Sequence, residues 1–216
     1  MMYNPPEFQI ASRERLIDMI KTYPLGQLIS HQDGEIRISY IPFLYQPSQQ
    51  GGEGFLIGHM ARANSQWRGI DQKPVVVSFL GPHAYISPTY YQEEHSVPTW
   101  NYVAVQVHGI CRIIQDSEEA AGIVAMLLDA FEPSQHALWS QNLRESPYRQ
   151  MLSQIVGISI QIQKMEGKAK LGQNRSRTSR MNAIGALLAQ RNCGDHTLAQ
   201  LMRQALDEEE KGNSSH

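Results

Sequence analysis

Gly81-Pro82-His83-Ala84-Tyr85-Ile86-Ser87-Pro88-Thr89-Tyr90-Tyr91, followed shortly by Val97-Pro98-Thr99-Trp100-Asn101-Tyr102, is the stretch on which the reading of this chain turns. The apolar run Val75 to Leu80 before it reads as a strand, and the alternation from Tyr102 to Gly109 after it reads as another. Two strands therefore pin the ends of a loop. Within that loop, glycine and prolines set the backbone direction, aromatic rings offer flat surfaces, and Ser, Thr, His and Asn side chains can hydrogen-bond a ligand's edges. The same composition also suits an aromatic hairpin that packs on a neighbouring subunit.

Outward from this stretch, strands dominate. Leu25 to His31 and Glu35 to Tyr45 flank Gln32-Asp33-Gly34, where Asp-Gly signals a tight hairpin. Phe55 to Met60 forms a further strand, and a short helix over Ala63 to Arg68 makes Gly58 to Arg62 a strand-to-helix junction. Free N–H groups at a helix start beside an arginine form a natural phosphate cradle. A long strand from about Trp100 to Ile114 ends at Asp116, which has capping-box spacing to Glu119 ahead of an apolar helix, Ile123 to Phe131, closed by Pro133. A helical stretch around Trp139 to Leu152 leads to Ile155 to Met165, whose alternation predicts a half-exposed strand. Two amphipathic helices follow, Met181 to Gln190 and Leu198 to Leu206, the second capped by Thr197 with Gln200. An N-terminal helix carries Leu16, Ile17 and Ile20 and stops at Pro24.

Strands joined by short turns, without βαβ alternation, argue against a doubly wound sheet and for a barrel. The expected class is mainly β with helices (α+β). Residues 1–176 are read as the barrel domain, 177–206 as a C-terminal helical appendage and 207–216 as a frayed tail.

The 216 residues, 41% of them hydrophobic, suffice for a substantial core, and no run approaches the ~18 apolar residues of a membrane span. Pro5, Pro6, Glu7 and Glu14 stand where an export signal needs apolar residues, so a cytoplasmic protein is expected. Cys111 and Cys193 show no paired spacing, so neither a disulfide framework nor a thiolate metal site is suggested. The net charge of −2 does not attract nucleic acid globally. One local patch stands out, Lys164 to Arg180, with Lys164, Lys168, Lys170, Arg175, Arg177 and Arg180 opposed by Glu166 alone. It reads either as a solvated charge run or as a source of donors for an anion. Direct DNA contact is possible there but supported neither by overall charge nor by a helix-turn-helix pattern.

Four blocks of sequence, Gly58 to Trp67, Gly81 to Tyr91, Val97 to Tyr102 and Glu166 to Ser176, resemble in the same order the PaiB family, described as FMN-binding negative transcriptional regulators. The resemblance runs from about Met2 to about Leu206. It implies an FMN-binding split β-barrel of the flavin reductase and pyridoxamine-phosphate oxidase type, assembled as a homodimer with FMN between subunits.

FMN needs a cationic, amide-rich pocket for its phosphate, a slot for its rings and donors near its polar ring edge. His59, Arg62 and Asn64 suit the phosphate, Arg62 foremost because a guanidinium pairs bidentately with phosphate oxygens. By comparison with related split barrels, Thr99 and Asn101 reach the phosphate or ribityl chain, and Tyr40, Ile41 and Pro42 lie where backbone meets the flavin ring. Trp100 can wall the pocket. The resemblance brings Lys168, Lys170, Gln173, Asn174 and Arg175 across to the partner subunit to close it. His83, Tyr85 and Tyr90 are candidates for binding a substrate or delivering a proton.

No standard catalytic constellation or metal motif is present: Glu93, Glu94 and His95, adjacent in a loop, converge poorly on one ion. Three functions stay open on the sequence: a PaiB-type FMN-binding regulator, a flavin-dependent reductase or oxidase acting on a small molecule, and a haem-handling protein on the same barrel.

Overall fold

Asp33 and Gly34 both take positive φ, 51° and 82°, and the strands they join pair antiparallel from Gln32 opposite Glu35 to Leu25 opposite Pro42. This is the hairpin the Asp-Gly pair predicts. The computed structural model describes residues 1–132 and 146–213. Pro133, the expected closure of one helix, and Trp139, the expected start of another, lie outside them.

The strands are β1 Leu25–Gln32, β2 Glu35–Pro42, β3 Leu44–Gln46, β4 Phe55–Ala61, β5 Pro74–Ile86, β6 Thr99–Ile114 and β7 Ile155–Lys170. The helices are α1 Arg13–Thr22, α2 Pro88–Tyr91, α3 Ser117–Phe131, α4 Ser146–Leu152, α5 Arg177–Leu188 and α6 Cys193–Asn213, with 3-10 turns at Pro6–Phe8 and Ser65–Gly69. The strands form one sheet in the order β2-β1-β5-β6-β7-β4-β3. No helix among the described residues is long and apolar enough to cross a membrane.

The chain divides into two units. Residues 13–79 and 106–165 form the larger, and residues 1–12, 80–105 and 166–216 the smaller, with β5, β6 and β7 contributing to both.

In the larger unit the expected strand Glu35 to Tyr45 is split. Pro42 has no N–H for a ladder and ends β2, Phe43 N donates to Pro24 O at 2.9 Å, and β3 then pairs with β4. Consecutive strands β2 and β3 thereby become the two edges of the sheet. The corner closes over Gly58 of β4, where an added Cβ would lie 2.9 Å from Pro42 O and 3.2 Å from both Ile41 Cγ2 and Phe43 Cδ1. Phe43 stacks edge-on against Phe79, with centroids 6.3 Å apart. Helix α3 buries Ile123 and Leu127 against Ile114, and its N-cap Asp116 accepts from the N–H groups of both Glu118 and Glu119. Glu119 does not complete the expected box; its carboxylate pairs with Arg112 at 2.9 Å.

In the smaller unit the expected loop at Gly81 is instead strand: β5 runs on to Ile86 before the single turn of α2, capped by Ser87. Outward and inward positions alternate up to Leu80, but Gly81 and Pro82 are both buried, and the outward set resumes at His83 and Tyr85. Likewise β7 continues past Met165 to Lys170, so the first half of the basic block is strand. Helix α6 starts at Cys193, not at a Thr197 cap. Asn192 Oδ1 accepts from Gly194 N, and the Thr197 hydroxyl turns back to Cys193 O. Its other end runs through the acidic stretch to Asn213, where Glu209 and Glu210 pair with Arg180 and Arg177.

These contacts lead to a paired expectation. Gly58→Ala forces a methyl group onto the Pro42 carbonyl and should cost about 1–3 kcal/mol of stability. Gly122→Ala, in α3 with no atom within 4 Å of the new Cβ, should gain about 0.5–1 kcal/mol from helix propensity. Urea denaturation of the two variants measures both; a neutral Gly58→Ala would mean the corner is loosely packed.

Candidate functional site

In the larger unit, one buried amide organises the polar residues between β1, β2 and the Ser65–Gly69 turn. Gln66 Nε2 donates to Leu28 O (3.1 Å), Ser30 Oγ (3.0 Å) and Arg37 O (3.1 Å). Its Oε1 accepts from Ser39 Oγ at 2.6 Å, and Ser39 Oγ in turn accepts from Asn64 Nδ2 at 2.8 Å. Asn64 also caps the turn, its Oδ1 accepting from Gln66 N at 3.0 Å. The helix expected at Ala63 to Arg68 is thus a capped 3-10 turn, and one of the N–H groups expected to be free is already taken.

The guanidinium beside this junction belongs to Arg37 of β2. Its Nη1 donates to Ser65 Oγ at 3.2 Å, and it meets Glu35 at 3.8 Å, across a carboxylate that is mostly exposed. Arg62, the expected phosphate ligand, is placed differently: Nε donates to Ser153 O at 2.9 Å, and Nη2 to Ile155 O at 3.0 Å and Gln115 O at 3.5 Å. A phosphate at Arg62 would have to displace backbone carbonyls. Nδ1 of His59 is buried without a hydrogen-bond partner, and burial lowers the pKa of the ring, which favours the neutral imidazole. On β2, Ile41 is buried, whereas Ile36, Ile38 and Tyr40 are 70%, 54% and 67% exposed. This strand turns its apolar residues outward and its polar Arg37 and Ser39 to the half-buried side.

In the smaller unit, most of the basic block is committed to internal contacts. Lys168 is buried, donates to Tyr3 O at 2.9 Å and lies 5.2–5.9 Å from the ring centroids of Tyr3, Phe8 and Tyr102. It pins the N-terminal segment, as do Asn4 Nδ2 and Ile10 N, which both donate to Gly167 O. Gln173 serves its own turn, accepting from Leu171 N and donating to Ala169 O. Arg175 lies over the Tyr91 ring and pairs with Glu93 at 3.4 Å. Asn101 is fully buried, with Nδ2 3.6 Å from Met202 Sδ. Tyr90 accepts from Gln190 Nε2, and Asn174 is exposed. Lys170 donates to Thr99 Oγ1 at 2.5 Å. His83, Tyr85 and Trp100 meet as rings, with Trp100 centred 6.2 Å from His83 and 6.1 Å from Tyr85.

Glu93 fills a role the sequence reading missed. Its carboxylate accepts from the hydroxyls of Ser179 and Ser176 at the start of α5 and pairs with Arg175. Those contacts, the serines foremost, hold its pKa below the ordinary value. Arg37, Ser39, Ser65 and Gln66 were missed as well. The available signal was the inverted alternation of β2, apolar residues at even numbers and Arg37 and Ser39 at odd ones.

The family model described as "Putative FMN-binding domain" matches residues 2–164. The chain belongs to this FMN-binding family. Protease synthase and sporulation protein PAI 2 of Bacillus subtilis, a PaiB protein, is 31% identical over 211 residues, covering 95% of this chain and 98% of that protein. An uncharacterised protein of Emericella nidulans is 30% identical, covering 78% and 83%. Among solved structures, the FAD and haem binding protein of Mycobacterium smegmatis superposes with a TM-score of 0.60 at 21% identity, covering 81% of this chain and 79% of that one. The flavocytochrome Anf3 of Azotobacter vinelandii gives 0.58 at 15% identity, covering 75% and 69%. The fold is the α+β FMN-binding split β-barrel, and FMN is its cofactor.

Because the folded-state pKa of Glu93 is depressed, its contribution to stability is present above the ordinary glutamate value of 4.5 and is lost as pH falls through the folded value. Glu93→Gln should therefore melt below the native protein at neutral pH, with the gap narrowing on acidification. Thermal unfolding across pH 3–7 tests this at intervals of about one unit; a gap that does not change with pH would remove the carboxylate charge from the account.

Proposed function

We propose that this chain is a cytoplasmic, homodimeric FMN protein with a regulatory role of the PaiB type, and that the FMN phosphate is held at Arg37, Asn64 and Ser65. The observation that carries the phosphate assignment is the contrast between two arginines. The Arg37 fork has one neutral hydroxyl and one distant carboxylate as partners, while the Arg62 fork is spent on carbonyls. A guanidinium next to a serine hydroxyl and an amide suits three phosphate oxygens. His59, with its orphaned Nδ1, is a further polar candidate for the cofactor on β4. Bound flavin supplies hydride and single-electron chemistry; the chain's residues bind it, orient it and shield it from water.

Arg37→Ala should weaken FMN binding by about 1.5–3 kcal/mol, ten- to a hundredfold, and leave riboflavin affinity nearly unchanged. Arg62→Ala should lower the melting temperature and spare the preference for FMN over riboflavin. Flavin fluorescence titration of both variants decides, and the reverse pattern would return the phosphate to Arg62.

The dimer reading rests on the outward face of β2. Ile36 and Ile38 are exposed, and a groove of about 440 Å³ lined by Ile29, Ile36, Val75, Val76 and His108 continues that surface. Exposed apolar surface of this kind usually marks an interface, and a second copy of the chain is the occupant we infer. Sedimentation should give twice the 24.4 kDa chain mass. Ile38→Asp should reduce it to a single chain. A native protein that sediments as one chain at micromolar concentration would end this reading.

The regulatory role is supported by the relationship to PaiB, and the cytoplasm by two cysteines that are both free thiols. Direct DNA contact by the basic block is disfavoured, since Arg175, Arg177 and Arg180 already face Glu93, Glu210 and Glu209.

A further inference from the structure

The face inferred to receive a second copy of the chain holds two imidazoles in otherwise uncharged surroundings. On it the antiparallel register sets His31 opposite Ile36, Ile29 opposite Ile38 and Gln27 opposite Tyr40, and it sets Ile29 and Gln27 opposite Val76 and Ser78 of β5. Directly opposed residues of antiparallel strands point to the same side, so these side chains share one face. The exposure of Ile36, Ile38 and Tyr40 marks it as the outward one. In the groove of about 440 Å³ that continues this face, His31 of β1 and His108 of β6 lie among Ile, Val, Pro, Ser, Gln and Gly. No carboxylate, lysine or arginine among the described residues lines it.

The charged residues of the surrounding elements lie elsewhere. Glu35 and Arg37 stand opposite Gln32 and Ser30, on the other side of β2, and meet each other at 3.8 Å. Asp71 accepts from Ile113 N, and Arg112 pairs with Glu119 of α3. Asp33 sits in the hairpin turn, Lys73 just before β5, and Lys164 after Gln163 on β7, and none of these lines the groove.

Imidazole is the side chain whose charge ordinarily changes near neutral pH. Taking it out of water without a carboxylate partner favours the neutral ring. A two-fold interface sets the same surface of each subunit against that of the other. A copy seated on this face therefore brings more apolar surface and its own two imidazoles, and no acid from the groove to neutralise them.

We propose that this face is a pH-sensitive interface, in which protonation of His31 and His108 separates the two copies in mildly acidic solution. The proposal rests on the second copy as the occupant of the face. Its sign follows from burial: the rings take up protons more readily in the separated chains than in the pair. Association is therefore at full strength above the ordinary imidazole value of about 6.5 and weakens as pH falls below it.

Sedimentation velocity of the FMN-loaded full chain at about pH 8 and about pH 5.5, at one ionic strength, tests this. The dissociation constant of the native dimer should rise about tenfold or more between the two, with far-ultraviolet circular dichroism unchanged. His31→Gln combined with His108→Gln should give a dimer equally tight at both. Any pH effect exerted through FMN persists in that variant, so its difference from the native protein reads the imidazoles. His31→Gln alone, at an exposed position, should remove roughly half of the effect on a logarithmic scale and covers the case in which the double variant fails to fold. His31→Lys, charged at both pH values, should sediment near the 24.4 kDa of one chain at pH 8 with its circular dichroism intact.

A native dimer equally tight at both pH values overturns the proposal and leaves the dimer standing. So does a full pH effect that survives in either glutamine variant, or a tight His31→Lys dimer, since each takes the switch away from these rings. A native protein that sediments as one chain at pH 8 removes the dimer reading and this proposal with it.

Discussion

The buried side chain of Gln66 is the contact on which the larger unit's polar site depends. A primary amide has two N–H donors and one carbonyl acceptor, and here the donors are shared among Leu28 O, Ser30 Oγ and Arg37 O while Oε1 takes the proton of Ser39. Gln32 Nε2 adds a bond to the main-chain carbonyl of Gln66 at 2.7 Å. The β1–β2 hairpin is thereby tied to the turn at Ser65–Gly69. Each bond contributes only about 1 kcal/mol net, but an unsatisfied buried partner costs about 1–3 kcal/mol, so the network is far more expensive to break than its gain suggests. The arrangement puts Arg37 and Ser65 side by side. Without it, a strand residue and a turn residue 28 positions apart would have no reason to meet.

Much of this architecture was legible in the chain. Asp33-Gly34 announced its hairpin, Asp116 its helix, and the alternation of Ile158, Ile160 and Ile162 its strand, because each depends on neighbours in sequence. The errors fall where a tertiary contact overrode local chemistry. Gly81-Pro82 looks like the start of a loop, yet β5 passes through both residues, which are buried together. The acidic run after Leu206 looks like a frayed end, yet Arg177 and Arg180, some thirty residues earlier, keep it helical.

The site was legible in part for the same reason. Period-two alternation marks β2 as a strand but cannot say which side faces inward, and the habit of placing apolar residues inside gives the wrong answer here. Read that way, Arg37 and Ser39 are solvent residues of no interest. In the fold they are half-buried and hydrogen-bonded, and the isoleucines are outside. Arg62 stands at the junction where the sequence puts it, but its partners, the carbonyls of Ser153 and Ile155, come from about ninety residues away and could not be read from the chain.

The basic block shows how a charge run can mean something other than a solvated face or a nucleic-acid stripe. Five of its six cations, all but Lys164, fall into three environments. Lys168 is enclosed by aromatic rings; Arg175, Arg177 and Arg180 each meet a glutamate; Lys170 has only a hydroxyl. The Arg177 pair is exposed, and such pairs are worth at most about 1 kcal/mol. Arg180 is different, because its side chain is 2% exposed and its pairing with Glu209 joins α5 to α6 within the smaller unit. Withdrawing Glu209 in favour of an external phosphate would leave a buried guanidinium short of its partner, at a cost no single phosphate contact at the surface returns. The arginines of this block are therefore built to hold helices together. Of these five, Lys170, hydrogen-bonded to the Thr99 hydroxyl, is the cation that meets neither a glutamate nor an enclosing set of rings.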